Sequence, residues 1–257
     1  FNALRFTAAS VFFAAFLRGI PLPAKRDIGK IIGLSLLGQF VYQTLFISGL
    51  FVTSAGNTGL ILGATPAITA FVSAVVAKTE KVSATVWCGL ALALAGIGMI
   101  VSGRGFAGPT SGDSIMAIAA VAFGMNTAFA KRLATTYGGL RLAAWCIWIS
   151  TPVFWLIALR DAFATDWQNV SVASWLWVAY AGVLSIGVAF VIWFRGTAIV
   201  GAVRTGVYQN LIAVLTLLIA WGWLRESVSV LQIAGGAAVI AGFWITRAPS
   251  LRTSSGR

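Results

Sequence analysis

Apolar residues in this chain come in long unbroken runs rather than in the three-to-four spacing of a helix with one wet face. Nine stretches, at 1–17, 31–51, 56–77, 83–102, 114–130, 142–159, 172–194, 203–223 and 229–246, carry almost no charge. Each approaches the roughly 20 apolar residues a helix needs to cross a hydrocarbon core about 30 Å thick. The polar connections between them are too short to fold alone. An all-α integral membrane protein is predicted, because a helix satisfies its backbone hydrogen bonds internally where water is absent.

Within those runs the sequence repeats itself. Moving Glu80–Gly96 forward by 146 positions onto Glu226–Gly242 brings seven of seventeen residues into identity: Glu80/Glu226, Val82/Val228, Ser83/Ser229, Gly89/Gly235, Ala91/Ala237, Ala95/Ala241 and Gly96/Gly242. At a shift of 147, Gly49/Gly196, Ala55/Ala202, Thr58/Thr205 and Gly59/Gly206 also coincide. Two copies of one helical unit are a common carrier design, since similar halves can rock about a site between them. The second copy begins near Gly112-Asp113 and shows five spans where the first shows four, so one further helix is expected ahead of Phe1. An odd number of spans per copy inverts the second copy across the bilayer. The expected fold is a ten-helix transporter bundle, nine helices of it in this sequence, arranged as an inverted 5+5 repeat. Its parts are a first repeat at 1–102 lacking its first helix, a linker at 103–113 within SGRGFAGPTSGD, a second repeat at 114–246 and a cytoplasmic tail at 247–257.

Composition narrows the function classes. Only 9% of residues are charged, against roughly 25% in soluble domains. The net charge of +12 would suit nucleic acid, but its placement does not. With nine spans, 14 of the 18 basic residues fall on one side, among them Lys25, Lys78, Lys131 and Arg252. Four fall on the other: Arg5, Arg104, Arg160 and Arg225. That asymmetry follows the positive-inside rule and assigns the C-terminus to the cytoplasm. No nucleic-acid partner is expected. Cys88 and Cys146 both lie within spans and read as packing residues rather than a disulfide. Histidine is absent and no metal-ligand spacing occurs, so no metal, cofactor or catalytic residue is expected. An intramembrane enzyme would need His clusters or paired deep acids. A non-transporting membrane protein is the other rival class.

The opening FNALRFTAA, the segment GLFVTSAGNTGLILGATPAITA and the endings EKVSATVWCGLALALAGIGMIV and ESVSVLQIAGGAAVIAGFWIT carry a resemblance. Along its whole length the chain resembles the drug/metabolite transporter (DMT) superfamily, in particular its EamA-like ten-helix exporters, and among these the branch that exports aromatic amino acids. In that family each repeat has an Ala-rich entry to its fourth helix, a mid-helix proline, an acid closing that helix and two glycines in the fifth. Pro66, Glu80, Gly89 and Gly96 match, followed by Glu226, Gly235 and Gly242. Ala213 stands where the second repeat usually carries proline, so the two fourth helices are not expected to kink alike. The resemblance implies a multi-pass exporter of the bacterial inner membrane, not an enzyme, that moves small metabolites, amino acids above all, by alternating access. A multidrug exporter is the alternative within transport, and it would want an embedded acid for cationic drugs.

Polar residues inside apolar spans are the candidates for cargo contact, because an amide facing lipid would be left unsatisfied. Gln39, Tyr42 and Gln43 stand at i, i+3 and i+4, on one helix face. Asn57 and Arg204 are repeat mates at the entries of the fourth helices, with Tyr208 and Asn210 following Arg204. Asn126 lies in the fifth of the nine spans. Arg204, or Arg5 from the opposite side, could meet a cargo carboxylate. Trp145 and Trp148 are interior and three apart, an aromatic wall for a planar or ammonium-bearing ligand. Interhelical hydrogen bonding, anchoring and lipid contact are the plain readings of the same residues. Helix packing is that of Gly59, Gly63 and the Gly89/Gly96 and Gly235/Gly242 pairs. Glu80 and Glu226, at span ends, read as caps. With all six acids in loops or at helix ends, a facilitator driven by the cargo's own gradient is expected. The cavity is expected to be central, the partners a small-molecule substrate and the lipid bilayer, and the functional form a monomer.

Overall fold

A computed structural model describes residues 1–17, 19–53, 55–102, 111–222 and 229–247. Each predicted span falls on a helix. In chain order these are α1 (Asn2–Phe16), α2 (Lys25–Leu50), α3 (Ala55–Gly63, Thr65–Phe71 and Val72–Val76), α4 (Ala84–Ser102) and α5 (Ser111–Tyr137). They continue with α6 (Gly139–Ala164), α7 (Val172–Val200), α8 (Ala202–Val207, Tyr208–Asn210 and Leu211–Gly222) and α9 (Val230–Arg247). No strand occurs among the described residues. Lys25–Leu50, Gly112–Tyr137, Gly139–Ala164 and Val172–Val200 are each long and apolar enough to cross a membrane, and Ile61–Val76, Ala84–Ile100 and Val230–Thr246 are shorter apolar helices. Most of the expected linker, Arg104, Arg225, Glu226 and the tail beyond Arg247 lie outside the described residues.

Local chemistry explains several repeated residues. Ser83 and Ser229 precede the last helix of their repeats and cap it. The Ser83 hydroxyl accepts from the Val86 N–H at 3.4 Å, and the Ser229 hydroxyl accepts from the Gln232 N–H at 3.2 Å. At the second cap the Gln232 side chain reaches back to accept the Ser229 N–H at 2.8 Å, completing a reciprocal box. Glu80 caps a different helix: its carboxylate accepts the N–H groups of Ala202 at 2.6 Å and Val203 at 3.2 Å, at the start of α8. Gly201 before them has φ +97, and a Cβ there would lie 2.6 Å from the Glu80 carboxylate, so only glycine fits.

The chain divides into two compact units, each drawing on both halves of the sequence. The first comprises Phe1–Thr44 and Phe129–Val200. In it α1 runs antiparallel to α6, since ascending positions on one meet descending positions on the other. The Trp155 indole donates to Thr7 at 2.7 Å, Ser10 and Thr151 share a 2.7 Å hydrogen bond, and the Trp148 indole donates to the Ser10 carbonyl at 3.2 Å. The Phe6 and Phe154 rings pack between them, tilted by 41° with centroids 4.5 Å apart. Gly182 of α7 lies so close to α1 that a Cβ would fall 2.5 Å from the Arg5 carbonyl.

The second unit comprises Leu45–Ala128 and Gly201–Arg257. Its centre is the contact of α4 with α9, made by the repeated glycines. A Cβ at Gly96 would lie 2.6 Å from the Gly235 carbonyl, and one at Gly235 2.6 Å from the Gly96 carbonyl. Gly89 and Gly242 meet in the same reciprocal way, at 2.8 and 2.5 Å. Because 89 meets 242 while 96 meets 235, the two helices are antiparallel. The repeat relation, 89 to 235 and 96 to 242, simply exchanges the two contacts. That is the geometry of an inverted pair.

Among the described residues three stretches adopt wide π turns: Leu36–Val41, Val72–Val76 and Ala181–Val188. The shift of 147 carries residues 36–41 onto 183–188, so the first and third are the same feature in the two repeats. A π turn offsets the ladder and leaves carbonyls short of partners, and it is found mostly at functional positions. The fourth helices also break, by different means. α3 restarts at Thr65 with Pro66 in its first turn, whereas α8 passes through a 3₁₀ turn at Tyr208–Asn210 three residues before Ala213. Both are interrupted, but not alike, as the proline-to-alanine difference leads one to expect.

Candidate functional site

In the first unit the polar residues gather around the π turn of α2. Gln39 is fully buried, and neither its amide oxygen nor its nitrogen has a hydrogen-bond partner. Gln43 is also buried, and Tyr42 is half-buried. The expected single face of Gln39, Tyr42 and Gln43 is altered here, because the wide turn over Leu36–Val41 changes the angle per residue. Arg5 of α1 is buried; it donates to the Asn2 side chain at 3.1 Å, lies 5.2 Å from the Phe1 ring centroid, and is within electrostatic reach of Tyr42. Its Nε has no partner.

The two candidate tryptophans part company. Trp145 is buried edge-on against Tyr137, ring centroids 5.1 Å apart, within the packed interior of the unit. Trp148 lines a groove of about 560 Å³ together with Ser10, Thr151, Pro152, Trp155, Leu156 and Leu159. The indole N–H groups of Trp148 and Trp155 and the hydroxyls of Ser10 and Thr151 are all engaged within the protein. The groove therefore offers ring faces and alkyl surface rather than free donors. Tyr137 also donates to Asp27 at 2.8 Å, and Asp27 pairs with Lys30 at 2.6 Å, so this buried carboxylate is already committed.

In the second unit Asn126 and Asn210 are buried, with both amide atoms of each unpartnered. Asn210 sits in the 3₁₀ break of α8. Arg204 and Tyr208 are exposed, and Tyr208 packs its ring edge on Phe243 at 5.0 Å. Asn57 lies in the first segment of α3, and its side chain is outside the described set. Sequence reasoning missed a stripe of buried hydroxyls on α3. Thr65, Thr69 and Ser73 recur every four residues, and the hydroxyls of Thr65 and Ser73 have no partner. The four-residue spacing was the available signal, masked because helical Ser and Thr usually bond a carbonyl of their own helix, as Thr69 does to Thr65 at 3.0 Å. Thr58 and Gln209 carry unpartnered buried oxygens as well. Cys146 is buried as expected of a packing residue, but Cys88 is exposed on α4, which corrects its reading as one. Among the described residues no group of His, Cys, Asp or Glu could hold a metal ion.

Comparison with known proteins adds the family context. Residues 1–102 and 110–248 match the family model of the EamA-like transporter family. Over 240 residues, 93% of this chain and 80% of the relative, the sequence is 30% identical to a Streptantibioticus cattleyicolor protein described as a "Probable terminal-alkyne amino-acid exporter". An uncharacterized transporter of Bacillus subtilis is 27% identical, covering 96% of this chain and 79% of its own length. A solved crystal structure shares the fold with a TM-score of 0.73 at 21% identity, over 95% of this chain and 86% of its own.

Proposed function

Because the chain belongs to the EamA-like transporter family, and so is a membrane transporter of small molecules, we propose that its cargo is amino acids, aromatic ones included, leaving the cytoplasm across a bacterial inner membrane. The observation that carries the reading is the fully buried, unpartnered Gln39 amide at the π turn of an apolar helix. An amide so placed costs about 1–3 kcal/mol unless something other than the protein meets it. A small polar solute, or the water that accompanies it, does so. Asn126 and Asn210 stand in the same condition within the second unit. The relative described as an amino-acid exporter supports the cargo class, and the aromatic groove beside Trp148 suits an apolar side chain.

Transport proceeds by alternating access and runs down the cargo's own gradient. A proton-coupled or cationic-drug exporter needs a titratable group inside the path. Asp27 is paired with Lys30 and Tyr137, Glu80 caps α8, and Asp113 accepts from Thr53. These acids have structural work already. The test is counterflow of labelled phenylalanine and leucine in proteoliposomes carrying the full-length protein, with and without a pH gradient. Expected is saturable counterflow that the pH gradient leaves unchanged. Uphill accumulation driven by the pH gradient rejects the facilitator reading, and no counterflow of any amino acid rejects the cargo class.

A further inference from the structure

Arg5 is a buried cation with which no carboxylate pairs among the described residues. It is 8% exposed, and the ion pairs among the described residues are those of Asp27 with Arg26 and Lys30. One of its terminal N–H groups donates to the Asn2 side-chain amide oxygen at 3.1 Å and the Phe1 ring lies 5.2 Å away, but neither neutralises a guanidinium. The Nε–H points to no acceptor.

Nor does Arg5 sit at a helix end of its neighbours. It packs against Gly182, ten residues past the start of the 29-residue α7 and eighteen short of its end, about 15 and 27 Å along the helix. Its other neighbour, Tyr42, lies within the 26-residue α2, seventeen residues from one end and eight from the other. A long side chain that merely snorkelled would need a nearby interface. A charge held at such a position costs about 3 kcal/mol on insertion scales, which points to a functional role. The repeat adds a control: the shift of 147 carries Arg5 onto Pro152, so the equivalent place in the second copy does without a charge. Three positions before Tyr42, Gln39 offers the second unmet group, a wholly buried amide.

We propose that Arg5 is the docking point for the carboxylate of the cargo, with Tyr42 beside it and the Gln39 amide as a further donor on the adjoining turn of α2. The assignment rests on the amino-acid reading for its cargo class. A guanidinium holds a carboxylate through two parallel N–H contacts, which fixes orientation as well as charge. Selectivity then follows. A cargo amide or ester of the same size and side chain leaves the cation unmet and binds poorly.

The experiment is thermal-shift titration of detergent-purified full-length protein with phenylalanine and leucine, their carboxamides, phenylpyruvate and inorganic phosphate. Wild type is expected to be stabilised by both amino acids and by phenylpyruvate, and not by the carboxamides or phosphate. R5Q should bind the carboxylates at least about 30-fold more weakly, as when one partner of a buried charge pair is truncated. Where R5Q is not recovered folded, R5K is read instead, and a carboxylate affinity equal to wild type overturns the proposal. So does equal binding of acid and carboxamide, stabilisation by phosphate as strong as by phenylalanine, or a wild type unmoved by every carboxylate. Arg5-dependent binding of phenylpyruvate without binding of either amino acid upholds the anion site and rejects the amino-acid reading instead.

Discussion

Gln39 and Ile186 occupy equivalent places in the two repeats, 147 positions apart, and both are fully buried. Gln43 and Phe190 form the next such pair, each 6% exposed. The same backbone setting thus accepts an amide in one copy and an aliphatic or aromatic side chain in the other. Folding alone does not call for glutamine at position 39. Replacing an unpartnered buried amide by an apolar group of similar shape is neutral or stabilising, because a desolvation penalty of about 1–3 kcal/mol disappears. Q39L is therefore expected to raise or preserve the melting temperature of the purified protein while lowering amino-acid counterflow several-fold. A melting temperature that drops with transport intact would assign Gln39 to structure and remove it from the transport path.

At the scale of elements, the α4–α9 contact is where small sequence changes have large consequences. A methyl group added at Gly242 would meet the Gly89 carbonyl at 2.5 Å and the Ala93 N–H at 2.8 Å, both backbone atoms that cannot turn aside. G242A and G96A are each expected to destabilise by about 1–3 kcal/mol, the usual range for overpacking. Gly98 is the control: it lies on the same α4 with nothing within 4 Å of an added Cβ, so G98A should match or exceed wild type. Thermal unfolding of the three variants in one detergent decides the matter, and equal losses at 98 and 242 would refute close packing as the reason for the repeated glycines. That reason was legible in the sequence, because glycines seven apart share a helix face and recur at a fixed shift. The capping serines were legible for the same cause, a side chain with a local job. The π turns were not: at the shift of 147 residues 36–41 share with 183–188 just Leu37/Leu184 and Val41/Val188, and such apolar residues fill π and α turns alike. The candidate residues were readable as polar groups in apolar runs, yet Trp145 proved to be interior packing, since three-residue spacing does not say which neighbour fills the groove. Arg5 needed burial and partner geometry before its missing counterion could be seen.

For the whole molecule, the antiparallel contact of α4 and α9 joins with the charge asymmetry to predict which end of each helix meets which compartment. Both helices begin at a capping serine, Ser83 and Ser229, and both are apolar over the length between their ends. Since they run in opposite directions, their starts lie at opposite faces of the bilayer. Lys78 and Lys81 precede α4, and basic loops remain on the cytoplasmic side. The start of α9 is then expected to face the exterior, and the C-terminal end of α9 the cytoplasm. Lys81 and Val230 are both exposed, so either position will carry a reactive thiol. Cys88 is exposed as well and has to be removed together with Cys146 before labelling. In intact bacteria an impermeant maleimide is expected to label V230C and spare K81C, and permeabilisation should bring K81C to the same extent. Labelling of K81C but not V230C would reverse the orientation while keeping the inversion. Labelling of both in intact cells, or of neither, would break the inversion itself, because two antiparallel spanning helices cannot start on the same side.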